Sequence, residues 1–119
     1  MREENSDDTF EKLAVWQRAQ AISIEVYRLL TECKDWGFKD QITRSTNSIA
    51  DNIAEGAERP GKAEYRQFLG YAKGSAGESR SQTYRAQALN YISAADSQRL
   101  VAELKEISKM IYGLRNSMK

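Results

Sequence analysis

Gly37-Phe38-Lys39-Asp40-Gln41-Ile42-Thr43-Arg44-Ser45-Thr46-Asn47-Ser48-Ile49-Ala50-Asp51-Asn52-Ile53-Ala54-Glu55-Gly56 is the stretch whose reading decides the fold. Phe38, Ile42, Ser45, Ile49 and Ile53 recur at helical spacing and mark one face of an amphipathic helix. Arg44, Ser48, Asn52 and Glu55 fall within about 80° on a wheel turning 100° per residue, beside the edge of that apolar stripe. A helix that carries a hydrogen-bonding row against its buried edge needs a specific partner there. The row supplies no reaction.

Working outward, Gly56 is the residue best suited to a left-handed turn and predicts the helix stop. Arg59-Pro60-Gly61 is a connector, because proline there would disrupt a continuous helix. A third helix is predicted from about Lys62 to Leu89, with Tyr65, Phe68, Leu69, Ala72, Ala76, Ser79, Thr83 and Ala86 facing inward. Gly70, Gly74 and Gly77 should each cost up to ~1 kcal/mol relative to alanine, so a closely approaching backbone is expected beside them. Upstream, Asp8-Thr9-Phe10-Glu11 reads as a capping box. It opens a helix to about Cys33 whose stripe is Val15, Ala19, Ile22, Val26, Leu29 and Leu30. Lys34-Asp35-Trp36-Gly37 breaks that pattern. After Asn90-Tyr91-Ile92, Ser93 or Asp96 can cap a last helix striped by Leu100, Leu104, Ile107, Ile111, Leu114 and Met118. Four amphipathic helices with short connections predict an all-α, antiparallel up-down four-helix bundle over residues 9–119, behind a flexible acidic tail of residues 1–8.

Helix one has a second apolar face. Leu13, Trp16, Ile24 and Tyr27 lie roughly 120–180° from its core stripe. Either they mark self-association or they widen the core and pack under the N-terminal segment.

These segments carry a resemblance. Phe10-Glu11-Lys12-Leu13-Ala14-Val15-Trp16-Gln17, Gln41-Ile42-Thr43-Arg44-Ser45 and Ser48-Ile49-Ala50-Asp51-Asn52-Ile53-Ala54-Glu55-Gly56 match one family, followed by Phe68-Leu69 and Ala72-Lys73-Gly74-Ser75-Ala76-Gly77-Glu78. The chain resembles the bacterial four-helix-bundle proteins of 23S ribosomal RNA intervening sequences, also labelled S23 ribosomal proteins. The resemblance implies a ring of five subunits. It also points to the related accessory proteins of diversity-generating retroelements, which bind a reverse transcriptase and nucleic acid through basic surfaces. Ser45 stands where an alanine is usual, and Lys73 and Gly77 where apolar residues are common.

Composition narrows the chemistry. At 119 residues the chain supports one domain with one core. No apolar run approaches the ~20 residues that span a bilayer. Residues 1–11 hold one arginine and five acids, a balance of −4, which leaves 17 basic and 12 acidic groups, or +5, in residues 12–119. A mildly basic body permits nucleic-acid binding. The sequence contains no histidine, which removes the usual general base and most zinc sites. No catalytic or metal residues and no cofactor are expected, and the protein reads as a non-enzyme. The lone Cys33 implies no oxidising compartment, and the N-terminus lacks a secretion signal, so a cytoplasmic location is expected.

Two site readings follow. Arg44, Ser48, Asn52 and Glu55, with Ser75 and Glu78 across the helix pair, form either a register-fixing polar network or a small-ligand pocket. A partly buried Arg44 would need a carboxylate, for which Glu78 is the candidate. On helix three, Lys62, Arg66, Lys73 and Arg80 fall within about 40° on the wheel, with Tyr84 in line and Arg59 just ahead. They are either a solvated face or a phosphate-following stripe on which Tyr84 stacks a base. The functional expectation is a non-enzymatic, homo-oligomeric scaffold or adaptor that contacts RNA or a nucleic-acid-handling partner through the helix-three stripe.

Overall fold

A computed structural model of the protein describes residues 9–118. Four helices follow one another: α1 (Ala14–Leu29), α2 (Trp36–Glu58), α3 (Lys62–Ala88) and α4 (Ala94–Asn116). Each packs only on its neighbours around the bundle, α1 on α2, α2 on α3, α3 on α4 and α4 back on α1. The product is a four-helix bundle measuring 52 × 23 × 21 Å. Among the described residues there is no strand.

Asp8, the expected cap of the first helix, and the acidic tail of residues 1–8 lie outside the described residues. The helix itself starts later than the capping box predicts, with Leu13 at its N-cap and no side-chain cap bond. Ahead of it the chain turns, Leu13 N–H donating to the Phe10 carbonyl at 2.9 Å. That turn sets the Phe10 ring edge-on to Trp16, with centroids 5.1 Å apart.

α2 begins earlier than predicted because Asp35 is a working cap. Its Oδ1 accepts from Phe38 N–H at 3.1 Å, drawing Trp36 and Gly37 into the first turn. Its Oδ2 accepts from the Tyr91 hydroxyl at 2.6 Å, which ties the α1–α2 connection to the α3–α4 connection. Tyr91 reaches it because Asn90 takes the left-handed conformation (φ 63°), which asparagine tolerates better than most residues. The Tyr91 and Phe38 bonds hold the Asp35 carboxyl below its ordinary value, and the same bond to Asp35 holds the Tyr91 phenol above its own. A depressed carboxyl contributes stability above its unfolded pKa of about 3.9 and loses it as pH falls through the folded value. Tyr91→Phe should therefore lower the melting temperature at pH 7, and the gap to wild type should close in acid below about pH 4. A gap that stays constant with pH would remove the Asp35 link.

At the far end, α2 does not stop at Gly56. It runs on to Glu58, and Gly56 is buried within it against α3. A Cβ built on Gly56 would lie 2.8 Å from Phe68 Cβ and 3.1 Å from Tyr65 Cδ1. Glycine is there because two helices meet. At Gly74 and Gly77, where the sequence suggested a close backbone, a Cβ would meet nothing within 4 Å in the protomer.

The core is built from Ile22, Val26, Ile42, Ile49, Ile53, Leu69, Leu100, Leu104, Ile107 and Ile111, all at most 2% exposed. Fully burying one such side chain is worth about 1.5–3 kcal/mol. α3 contributes mostly small residues, Ala72, Ala76, Ser79, Thr83 and Ala86, and so lets both α2 and α4 approach. The contacts of α3 with α2 and α4 are the most extensive in the fold, and that between α1 and α4 is the least. The α1–α4 seam is instead bridged by charge. Arg18 forks onto Glu103 at 2.6 and 2.8 Å, and Arg99 binds Glu25.

Candidate nucleic-acid interface

Antiparallel α3 and α4 bring cations from two separate stretches of sequence into one groove. It has a volume of about 560 Å³ and is lined by Lys73, Arg80, Lys105, Ser108, Lys109 and Tyr112. Lys105 and Lys109 share a face of α4 at i, i+4, as Lys73 and Arg80 share a face of α3 at i, i+7. No carboxylate lines the groove, and among the described residues none of its four cations makes an ion pair. Four like charges side by side repel one another, and an anion seated among them relieves that repulsion. Tyr112 is 56% exposed beside them.

Of the stripe read from the sequence, Lys73 and Arg80 line this groove, and Arg66 lies one heptad further toward the α3 start. Lys62 is exposed in the first turn of α3, and Tyr84 is exposed one turn beyond Arg80. Arg59 is committed elsewhere. Its guanidinium donates to Glu55 at 2.8 Å and lies 4.9 Å from the centre of the Phe68 ring. Lys105, Lys109 and Tyr112 were missed from sequence because they sit on another helix. The readable signal was the pairing that a short α3–α4 connection forces, which sets residues near 105 beside Arg80.

The polar row divides in two. Ser75 Oγ donates to Ser48 Oγ at 2.9 Å, and Asn52 Nδ2 donates to the same oxygen and to the Ser48 carbonyl, both at 2.8 Å. Arg44 departs from expectation. Its side chain is 78% exposed and pairs with Asp40 at 3.0 Å, one turn back on its own helix, rather than with Glu78. A long side chain at the edge of a stripe extends into water, and a carboxylate at i−4 is the nearer partner. Arg44, Ser48, Ser75 and Glu78 still line one shallow cleft of about 390 Å³, while Glu55 is taken by Arg59. Beneath it lies a network the sequence reading did not assemble. Ser79 Oγ donates to Ser45 Oγ at 2.8 Å, and Ser45 donates to Gln82 Oε1 at 2.6 Å, all three residues being buried. A satisfied chain of this kind fixes the α2–α3 register.

The second apolar face of α1 also divides. Leu13 and Trp16 are half-buried and pack against the core, so they do not stand open. Ile24 and Tyr27 stay 42% and 46% exposed, with the Tyr27 hydroxyl accepting from Asn47 Nδ2 at 2.8 Å. Cys33 is a half-buried residue packed on the core. No helix among the described residues is long and apolar enough to cross a membrane. Nor does any group of three or more His, Cys, Asp or Glu among those residues make a metal site.

Comparison with known proteins agrees with this architecture. The family model described as 23S rRNA-intervening sequence protein matches residues 11–113. Among solved structures, a protein of unknown function from the S23 ribosomal protein family of Bacteroides thetaiotaomicron VPI-5482 superposes with a TM-score of 0.80. The two are 22% identical over 86% of this chain and 98% of that one, a likeness that speaks for the fold. No curated protein matches the chain. With the helices, their order and nearly the whole length of the chain in agreement, the protein belongs to the 23S rRNA-intervening sequence protein family.

Proposed function

We propose that the protein is a non-enzymatic, homo-oligomeric binding module whose α3–α4 groove holds a nucleic-acid strand by its phosphates. The observation that carries this reading is the groove itself, with four cations, an exposed tyrosine and no carboxylate among its lining residues. From Lys73 to Arg80 the cations extend about 10 Å along α3 at 1.5 Å per residue. That length fits a short run of phosphates. Point charges of this kind bind without regard to sequence, and Tyr112 offers a ring on which a base can stack. Copies associate through the outer flank of α1 at Ile24 and Tyr27, a five-membered ring being the expected assembly, so each particle presents several grooves. Light scattering should report that assembly, and Ile24→Glu with Tyr27→Glu should reduce it to monomers.

The test of binding is salt dependence. With four phosphates neutralised on a single strand, the logarithm of affinity should fall against the logarithm of salt with a slope near −2.8. That is a loss of about 50-fold between 50 and 200 mM. Lys73→Gln with Lys109→Gln should shrink the slope by about 1.4. Fluorescence anisotropy with labelled RNA and DNA oligomers reads both quantities. Affinity indifferent to salt and to these substitutions would overturn the groove.

The small-ligand reading of the α2–α3 cleft has less behind it. Ser75 and Asn52 both bond Ser48, Arg44 is paired with Asp40 on its own helix, and Glu55 with Arg59 at the helix C-cap.

A further inference from the structure

Arg66 stands apart from the other cations of the α3–α4 seam. Its Nε is buried and has no hydrogen-bond partner, and among the described residues no carboxylate pairs with its guanidinium. A second guanidinium is held on the same turn of α3. Arg115 Nε donates to the Arg66 carbonyl at 3.0 Å and lies 3.8 Å from where a Cβ on Gly70 would be. With Nε engaged, the remaining N–H groups of Arg115 are left to bind something else. Arg66 lies one heptad from Lys73, and Arg115 three residues past Tyr112, so helical repeat places both on the groove side of the seam.

A buried N–H on a cation is satisfied in solution by water, a carboxylate or an oxyanion. Water leaves both charges uncompensated. A tetrahedral oxyanion accepts several N–H groups at once and meets the planar forks of two arginines. We infer that Arg66 and Arg115 form a seat for a phosphate group at the end of the groove nearest the start of α3. Free phosphate and the terminal phosphate of a strand share this chemistry. The strand source rests on the groove reading above, and the free-phosphate source does not.

The experiment has two arms. In the first, inorganic phosphate is titrated at constant ionic strength against chloride, and binding is read by calorimetry and by melting temperature. Phosphate stabilises many proteins by exclusion from their surface, so the response must be saturable and must differ between variants. Wild type should respond. Arg66→Gln and Arg115→Gln should lose the response, and Arg66→Lys, which keeps the charge and loses the fork, should weaken it about tenfold. Lys73→Gln with Lys109→Gln should retain it. An identical response in wild type and Arg66→Gln, or none in either, overturns the seat.

In the second arm, oligonucleotides with and without a terminal phosphate are compared. A terminal phosphate should tighten binding about tenfold in wild type and not at all in Arg66→Gln. Equal binding of both strands, with inorganic phosphate still held through Arg66, supports the seat and identifies its ligand as free phosphate. Phosphate binding with no strand binding overturns the groove reading and leaves the seat standing.

Discussion

Gly56→Leu is expected to lose about 3 kcal/mol of folding stability, at the top of the range for overpacking. The reason is geometric. Of the atoms a Cβ there would meet, Tyr65 Cδ1 at 3.1 Å can rotate away. Phe68 Cβ at 2.8 Å and the Tyr65 carbonyl at 3.3 Å are fixed to the α3 backbone. Anything larger than hydrogen must push α3 off α2, at one of the two most extensive contacts in the bundle. Gly56→Ala should also destabilise, by about 1 kcal/mol, although alanine is the better helix former by nearly that amount. Gly74→Ala and Gly77→Ala provide the contrast. With nothing within 4 Å, each should gain up to about 1 kcal/mol in an isolated protomer. Urea midpoints at unchanged slope separate the cases. A rise in midpoint for Gly56→Ala equal to that for Gly74→Ala would show that the helices are not in contact there.

Leu69→Ala is expected to cost about 4 kcal/mol, toward the upper end for a buried leucine. Leu69 is the one large apolar side chain among the fully buried residues of α3; the others are Ala72, Ala76, Ser79, Thr83 and Ala86. Small neighbours have little side chain to move into a hole, so the cavity should persist, and cavity volume sets the cost. Against a total stability of 5–15 kcal/mol for a domain, the loss is a large fraction. Denaturant unfolding reads it directly. A cost below about 1 kcal/mol would mean that α3 repacks to fill the hole.

The helices were legible because their apolar residues keep period, and Ser93 stands where a cap belongs, whereas Asp35, read as part of a break, caps α2. Ser93 Oγ accepts from Asp96 N–H at 3.0 Å, as its position suggested. Gly56 was misread for a physical reason. Glycine suits both a helix end and a helix crossing, and the residues that distinguish the two, Tyr65 and Phe68, come only after a turn. Arg44 was misplaced because a wheel gives the direction of a Cβ and not the reach of a long side chain. Asp40 four residues earlier was the available signal. The groove was half legible. Lys73 and Arg80 emerged from one helix, but Lys105 and Lys109 join them only once α4 is folded back against α3. Trp16 looked exposed on the wheel because Phe10, which covers it, precedes the helix.

The seam between α1 and α4 has a consequence of its own. Among the described residues the ion pairs between helices, Arg18–Glu103 and Arg99–Glu25, both span this least extensive contact and lie in partial contact with solvent, where dissolved ions screen them. Brine should therefore weaken that edge more than the other three. The first rod is expected to part from the last before the other three separate, and backbone hydrogen exchange that quickens with salt along α1 would report it.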